Sequence, residues 1–364
     1  MFSREQEEKF TDLIIWFLTL AVKKGGKKLE RNNVITLLSH FTLININRLL
    51  QEKLHNRGYY VLPTMVNHGI YGDIVLKHVP GIIFDPARAT EDDIKKIKEK
   101  ADDKDYMGWV YTVAPNSKDA AEAGLGPEEL GRELVRIYHL DHPDPIRYWR
   151  EINRWQTKII SRLEKLEIDY FHVLSDKTDL KIGLGKDRRW VGLSCNLPGF
   201  EIFTAPDYRR VDGEFFADRC AACGNIRNIK NIRFTIRGGR VVEIRAEENE
   251  ETARAHLLAD WGAARLGEFA IVEKNISTIS RFIGINIFDE NYGGEFGSCH
   301  IAFGNAWHGS YKGREPLTEI LKENIGFNTS RMHIDYINTE DKIITAYLKN
   351  GDSLLLYKSG TFQI

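Results

Sequence analysis

The chain has little of several things that narrow its class quickly. Four cysteines in 364 residues are too few for a disulfide scaffold. Cys220-Ala-Ala-Cys223 is a lone CxxC with no second pair, so it does not make a four-ligand zinc site. Charge of one sign is also missing. The 51 lysines and arginines stand against 52 aspartates and glutamates, which leaves no field for nucleic acid or an anionic membrane. Long hydrophobic runs are absent. The longest, Leu13 to Val22, is about half of a membrane span. It follows Glu5, Glu7 and Glu8 and no small-residue cleavage site comes after it, so it reads as a buried helix and the protein as cytoplasmic. No phosphate-cradling glycine motif opens a helix, and there is no internal repeat or low-complexity tract.

What is present is enough apolar residue, 42% of the total, for two domains with cores of their own. Residues 4–23 read as an amphipathic helix. Asn33–Leu38, Tyr59–Leu62, Gly81–Phe84 and Met107–Val113 read as strands, alternating with helices over Asn45–Arg57 and Thr90–Asp102. That alternation predicts a mostly parallel, Rossmann-like α/β domain. Ser117–Leu140 and Pro145–Leu166 read as two helices separated by prolines, and a domain boundary is placed near the end of the second. From Asp169 short strands dominate, with a hairpin turning at Gly238-Gly239 and a helix over Glu247–Leu266. The expected class is therefore α/β plus α+β: an N-terminal α/β domain with a helical connector over 1–165, and a β-rich metal-binding domain over 166–364.

The chemistry gathers late in the chain. Cys299-His300-Ile-Ala-Phe-Gly304 and Met332-His333-Ile-Asp335-Tyr336 both alternate polar and apolar residues, the period of a half-buried strand. Residues two apart on a strand share a face, so His333 and Asp335 point the same way. Glu201 opens an apolar strand bracketed by prolines, and Glu268 precedes Phe269-Ala-Ile-Val272. A carboxylate in such a setting is expensive to bury without positive charge. Three carboxylates and two imidazoles carry about three negative charges, a set that suits two divalent cations.

These residues lie in a series of motifs that resembles the thermophilic-type dinuclear metallo-aminopeptidases (leucyl aminopeptidase-like). The matching pieces, in order, include Thr178–Leu184, Glu201-Ile-Phe-Thr-Ala-Pro206, Gly262–Glu268, Phe288-Asp-Glu-Asn291, Ser298–Gly304 and Asn328–Asp335. The resemblance runs from about Asp144 to the end and is thin before Gly108. It implies a hydrolase acting on peptides or amino-acid derivatives with two divalent ions, Zn, Mn or Co. Glu201, Glu268, His300, His333 and Asp335 would be the ligands, and Glu268 the bridge between the ions. It also implies a homodimer with active sites facing an enclosed cavity. Glu290 and Glu295 compete for one further acidic position, as general base or ligand: Glu290 has the motif, Glu295 the spacing to His300. Phe200 stands where a second glutamate is usual, and Trp307 where a tyrosine commonly assists the reacting carbonyl. The inserted Tyr292–Phe296, with Gly293-Gly294, offers a turn that could bring Glu295 or Tyr292 to the site. A ring-cleaving dioxygenase branch on the same scaffold gives the alternative, one Fe held by His300, His333 and Asp335.

Overall fold

The computed structural model describes residues 1–66, 73–83, 96–97, 108–220 and 229–364. Cys223, Phe84, Met107 and nearly all of the expected helix over Thr90–Asp102 lie outside the described residues. The chain divides into two compact units, one of Met1–Glu151 with Leu193–Gly199 and one of Ile152–Gly192 with Phe200–Ile364. Among the described residues, no helix is long and apolar enough to cross a membrane.

In the first unit, α1 (Arg4–Lys24) starts at a capping box in which Ser3 and Gln6 satisfy each other's backbone N–H groups. Its apolar stripe, including Phe10, Leu13, Phe17 and Val22, is fully buried. The unit's sheet has the order β2-β1-β3-β4, with β1 (Asn33–His40), β2 (Tyr60–Val66), β3 (Asp73–Ile83) and β4 (Trp109–Val113). Only β1 and β2 are parallel; β3 pairs antiparallel with β1 and β4 antiparallel with β3. The expected Rossmann-like parallel sheet is thus a mixed sheet. α2 (Ile44–Asn56) supplies the crossover that keeps β1 and β2 parallel. The link 67–72 is too short for a second crossover, which needs a dozen or more residues, so β3 returns in the opposite sense. The single helix expected over Ser117–Leu140 is two, Ser117–Glu122 and Pro127–Tyr138. Gly124, at φ +68°, breaks the first and Pro127 starts the second.

Among the described residues, the second unit has twelve antiparallel strands: β5 (Ile168–Leu174), β6 (Asp179–Leu184), β7 (Ile202–Thr204), β8 (Pro206–Cys220), β9 (Lys230–Arg237), β10 (Arg240–Glu248), β11 (Leu266–Val272), β12 (Ser298–Gly304), β13 (His333–Asn338), β14 (Ile343–Leu348), β15 (Ser353–Lys358) and β16 (Thr361–Phe362). The main path runs β16-β15-β14-β5-β6-β8-β13-β12-β11-β7, with β9 on β8 and β10 on β9. β11, β12 and β13 face two ways. Phe269, Ile271, Cys299, Ile301, Phe303, Ile334 and Tyr336 point into the main hydrophobic core. The alternate residues point to the other face, where the polar cluster lies. Trp190–Leu193 forms no strand beyond a single bridge from Val191 to Phe203. The helix expected over Glu247–Leu266 is only Glu250–Leu257. Asp260 ends any continuation by accepting the N–H groups of Gly262 and Ala263 in a turn. Gly262 permits no side chain, because a Cβ there would lie 2.0 Å from the Thr329 carbonyl oxygen. Gly267 is therefore not a helix cap. It and Glu268 belong to β11.

Candidate metal centre

Register places the ligand-type side chains before any contact is considered. Glu268 on β11 and Asp335 on β13 both stand opposite Ala302 on β12. His300 is two residues before Ala302 on the same face, and His333 stands opposite Gly304. Glu201 immediately precedes β7, whose Phe203 pairs with Ala270 on β11, itself opposite His300. Four segments thus point polar side chains at one patch. Ala302 and Gly304 leave the middle of it empty of side-chain atoms.

The contacts follow. His300 Nε2 lies 3.2 Å from Glu201 Oε2, 3.5 Å from Glu268 Oε1 and 3.8 Å from Asp335 Oδ1. His333 Nε2 lies 3.5 Å from Asp335 Oδ1. Two groups have ligand atoms all within 4.8 Å of one another, Glu201–Glu268–His300 and Glu268–His333–Asp335. Glu268 is common to both. The His300–His333–Asp335 triad of the one-iron alternative is not one of these two groups among the described residues, although both imidazole Nε2 atoms lie within 3.8 Å of Asp335 Oδ1. His333 Nδ1 donates to the Asn305 carbonyl at 2.7 Å, since a carbonyl can only accept. That orients the ring so that Nε2 faces the carboxylates. His333 is the exposed member, its side chain 38% accessible, whereas Glu201, Glu268, His300 and Asp335 are buried.

Burial without compensation marks the cluster electrostatically. Glu201 Oε2, both ring nitrogens of His300 and Asp335 Oδ1 are buried without a hydrogen bond of good geometry, and His300 Nε2 meets Glu201 and Asp335 only as ion-pair contacts, a state that native interiors rarely leave standing. Burial lifts Glu201 to about 7, against the opposing pull of His300. Glu290 is pushed well above the usual carboxylate range by burial and then by the charges of Glu201 and Asp335. Burial alone would lower His300, but the Glu201 and Glu268 carboxylates beside it hold it well above the ordinary imidazole value. Burial would raise Asp335 too, yet His333 beside it brings it below its normal value. Hard oxygen and borderline nitrogen donors, orphaned together, fit divalent cations.

The structure separates the two competing glutamates. Glu290 is buried at the end of the short helix Asn286–Asp289, where Asn286 Nδ2 donates to its Oε2 at 2.8 Å. Glu295 is exposed and is not among the groups that meet the cluster. Tyr292 does not turn inward either. Its ring stacks on Phe282, centroids 4.6 Å apart, and Gly294 at φ +57° gives that ring its room. Trp307 packs on Phe203 at 5.5 Å, in an apolar group with Val191 and Ala270, one strand from His300. Phe200, fully buried, contributes only its backbone here.

Sequence reasoning missed the residues that hold Glu201 in place. Asn291 Oδ1 accepts the N–H groups of Phe200 at 2.5 Å and Glu201 at 2.9 Å, and Gln156 Nε2 donates to the Glu201 carbonyl at 2.9 Å. Asn291 belongs to the Asp-Glu-Asn motif, which was the available signal; Gln156, on the helix Pro145–Leu163, carried none.

Comparison with known proteins follows the same lines. Residues 74–362 match the thermophilic metalloprotease (M29) family. Over 276 residues the chain is 31% identical to aminopeptidase T of Thermus thermophilus, covering 71% of this chain and 64% of that protein. It is 29% identical over 273 residues to aminopeptidase PepS of Streptococcus thermophilus, covering 70% and 63% respectively. The chain thus spans less than two thirds of the length of these curated relatives. The solved structure of wild-type AmpT from Thermus thermophilus superposes with a TM-score of 0.74 at 23% identity, covering 99% of both chains, which shows a shared fold.

Proposed function

The chain belongs to the thermophilic metalloprotease (M29) family, and from that premise we propose that it is a two-metal aminopeptidase, removing the N-terminal residue from peptides or related amides. The observation that carries the reading is the cluster of Glu201, Glu268, His300, His333 and Asp335, whose ligand atoms form two close groups sharing Glu268. Glu201, Glu268 and His300 would hold one divalent cation and Glu268, His333 and Asp335 a second, with Zn, Mn and Co all compatible with the donor set. When bound, such a pair polarises a scissile carbonyl and acidifies water.

The chain's own residues do the rest. Glu290, buried and steadied by Asn286, accepts the proton of the attacking water and returns it to the leaving amine. The tether from His333 to Asn305 keeps Nε2 available to a ligand. The indole N–H of Trp307 is the candidate donor to the reacting carbonyl, in the place of the family's tyrosine. In this reading 166–364 is the catalytic domain, and 1–165 the accessory one. The protein works as a homodimer around an enclosed cavity. The setting we propose is cytoplasmic.

Metal analysis of the purified protein together with a peptide-cleavage assay tests the reading. Two divalent ions per chain and release of single N-terminal residues are expected. One iron per chain without peptide cleavage would replace this reading with the oxygenase one. Sedimentation at micromolar concentration should give a dimer, and a monomer would remove the cavity.

A further inference from the structure

We infer that Asn291 is a positioning residue that locks Glu201 and Glu290 into one unit, so that its side chain, which touches neither metal nor substrate, sets the affinity of one cation position and not the other. The inference rests on the metal-centre reading above. Asn291 is completely buried. Its amide oxygen accepts two consecutive backbone N–H groups, those of Phe200 and Glu201, at 2.5 and 2.9 Å. Its amide nitrogen donates to the Ile287 carbonyl at 3.0 Å and lies 3.4 Å from Glu290 Oε1. Its own carbonyl accepts from Ser277 Oγ at 2.5 Å.

One side chain therefore ties the short helix carrying Glu290 to the segment carrying Glu201, across ninety positions of sequence. The peptide of Glu201 is gripped on both sides, at its N–H by Asn291 and at its C=O by Gln156. No hydrogen bond holds the Oε2 end of the Glu201 side chain. The carboxylate is thus aimed through its backbone, and loss of the grip turns it away from His300 and Glu268.

Residue type is constrained as well. A carboxylate at 291 could accept the same two N–H groups, but it could not donate to the Ile287 carbonyl. It would also add a charge beside the Glu201 and Glu290 carboxylates. An amide offers both an acceptor and a donor without charge. His333 and Asp335 are held instead by β13 and by the Asn305 tether. The grip therefore bears first on the Glu201–Glu268–His300 group, through the backbone of Glu201.

The test is zinc titration of metal-stripped wild type, Asn291→Ala and Asn291→Asp by calorimetry, with the zinc-induced rise in melting temperature measured on the same samples. Residues that orient metal ligands typically change affinity 10- to 100-fold. The expected result is a loss of that size at one of the two positions in both variants, the other staying within about twofold, and a smaller zinc-induced rise. If Asn291→Ala does not fold, the near-isosteric Asn291→Asp decides alone. Two unchanged affinities, or two that fall by the same factor, would reduce Asn291 to a general packing role. Wild type that takes up no zinc would remove the metal-centre reading, and with it this one.

Discussion

Stripping the metal should invert the pH dependence that acidic proteins commonly show, making the metal-free protein lose stability as the solution becomes less acid. Glu201 titrates near 7 in the folded, metal-free chain and near 4.5 when unfolded. Because the folded value is the higher one, its favourable contribution is complete below pH 4.5 and is lost as the pH rises through 7. The difference amounts to about 3 kcal/mol, taken as an upper bound because neighbouring charges share the proton. Asp289, lifted by burial to about 7, acts in the same direction. His300, held high by Glu201 and Glu268, adds a further loss above its unfolded value of 6.5. Asp335 opposes these only in stronger acid, because its folded value lies below the ordinary one.

For a unit of this size each kcal/mol is worth about 2–4 °C. Calorimetry in chelator should therefore show a fall of about 5–10 °C in the melting temperature between pH 5 and pH 8. Metal-loaded protein, with its carboxylates neutralised by cations, should show no such fall. Glu201→Gln should flatten the metal-free curve. A metal-free melting temperature that is constant or rises from pH 5 to pH 8 would refute the reasoning, because the carboxylates would then be compensated by something other than metal.

Three substitutions probe the centre directly. Glu268→Ala should abolish peptide cleavage and lose most of both ions, since this carboxylate serves both groups; full metal content measured by mass spectrometry would contradict its shared position. Ala302→Leu should leave a folded protein that binds metal at least about tenfold more weakly, because its side chain fills the gap between Glu268 and Asp335; unchanged zinc affinity would mean the cations sit elsewhere. Trp307→Tyr should raise turnover of simple aminoacyl substrates, hydroxyl donors of this kind being worth about a hundredfold; already ordinary rates in wild type would show that tryptophan limits nothing.

How far the sequence reaches depends on the range of the interaction in question. The pairing of His333 with Asp335 is legible because a period of two is local, and the strand they occupy is where the pattern places it. Glu268 is legible as a site residue through its motif, but its setting is not. Thr252 to Ala264 contains enough helix formers to extend a helix that Asp260 and Gly262 in fact stop. The β1–α2–β2 unit follows from alternation alone, yet the direction of β3 depends on the length of a link. The order of the large sheet is set by partners far apart in the chain, such as Tyr336 opposite Cys220, and no periodicity encodes that. Glu290 and Glu295 show the same limit: motif and spacing disagree, and only folding buries one of them.

The two amides that grip Glu201 carry no titratable group. A shift of pH therefore changes the charge of the cluster without loosening the frame that aims it. Mild acid, where protons displace cations from the carboxylates, is also where the emptied protein is at its most stable. The centre should be one that can be unloaded and recharged in place: a dip to about pH 5 releases the ions, a return to neutrality with a different cation fills the same seats, and no refolding comes between. Exchange of zinc for manganese or cobalt should then be a matter of buffer.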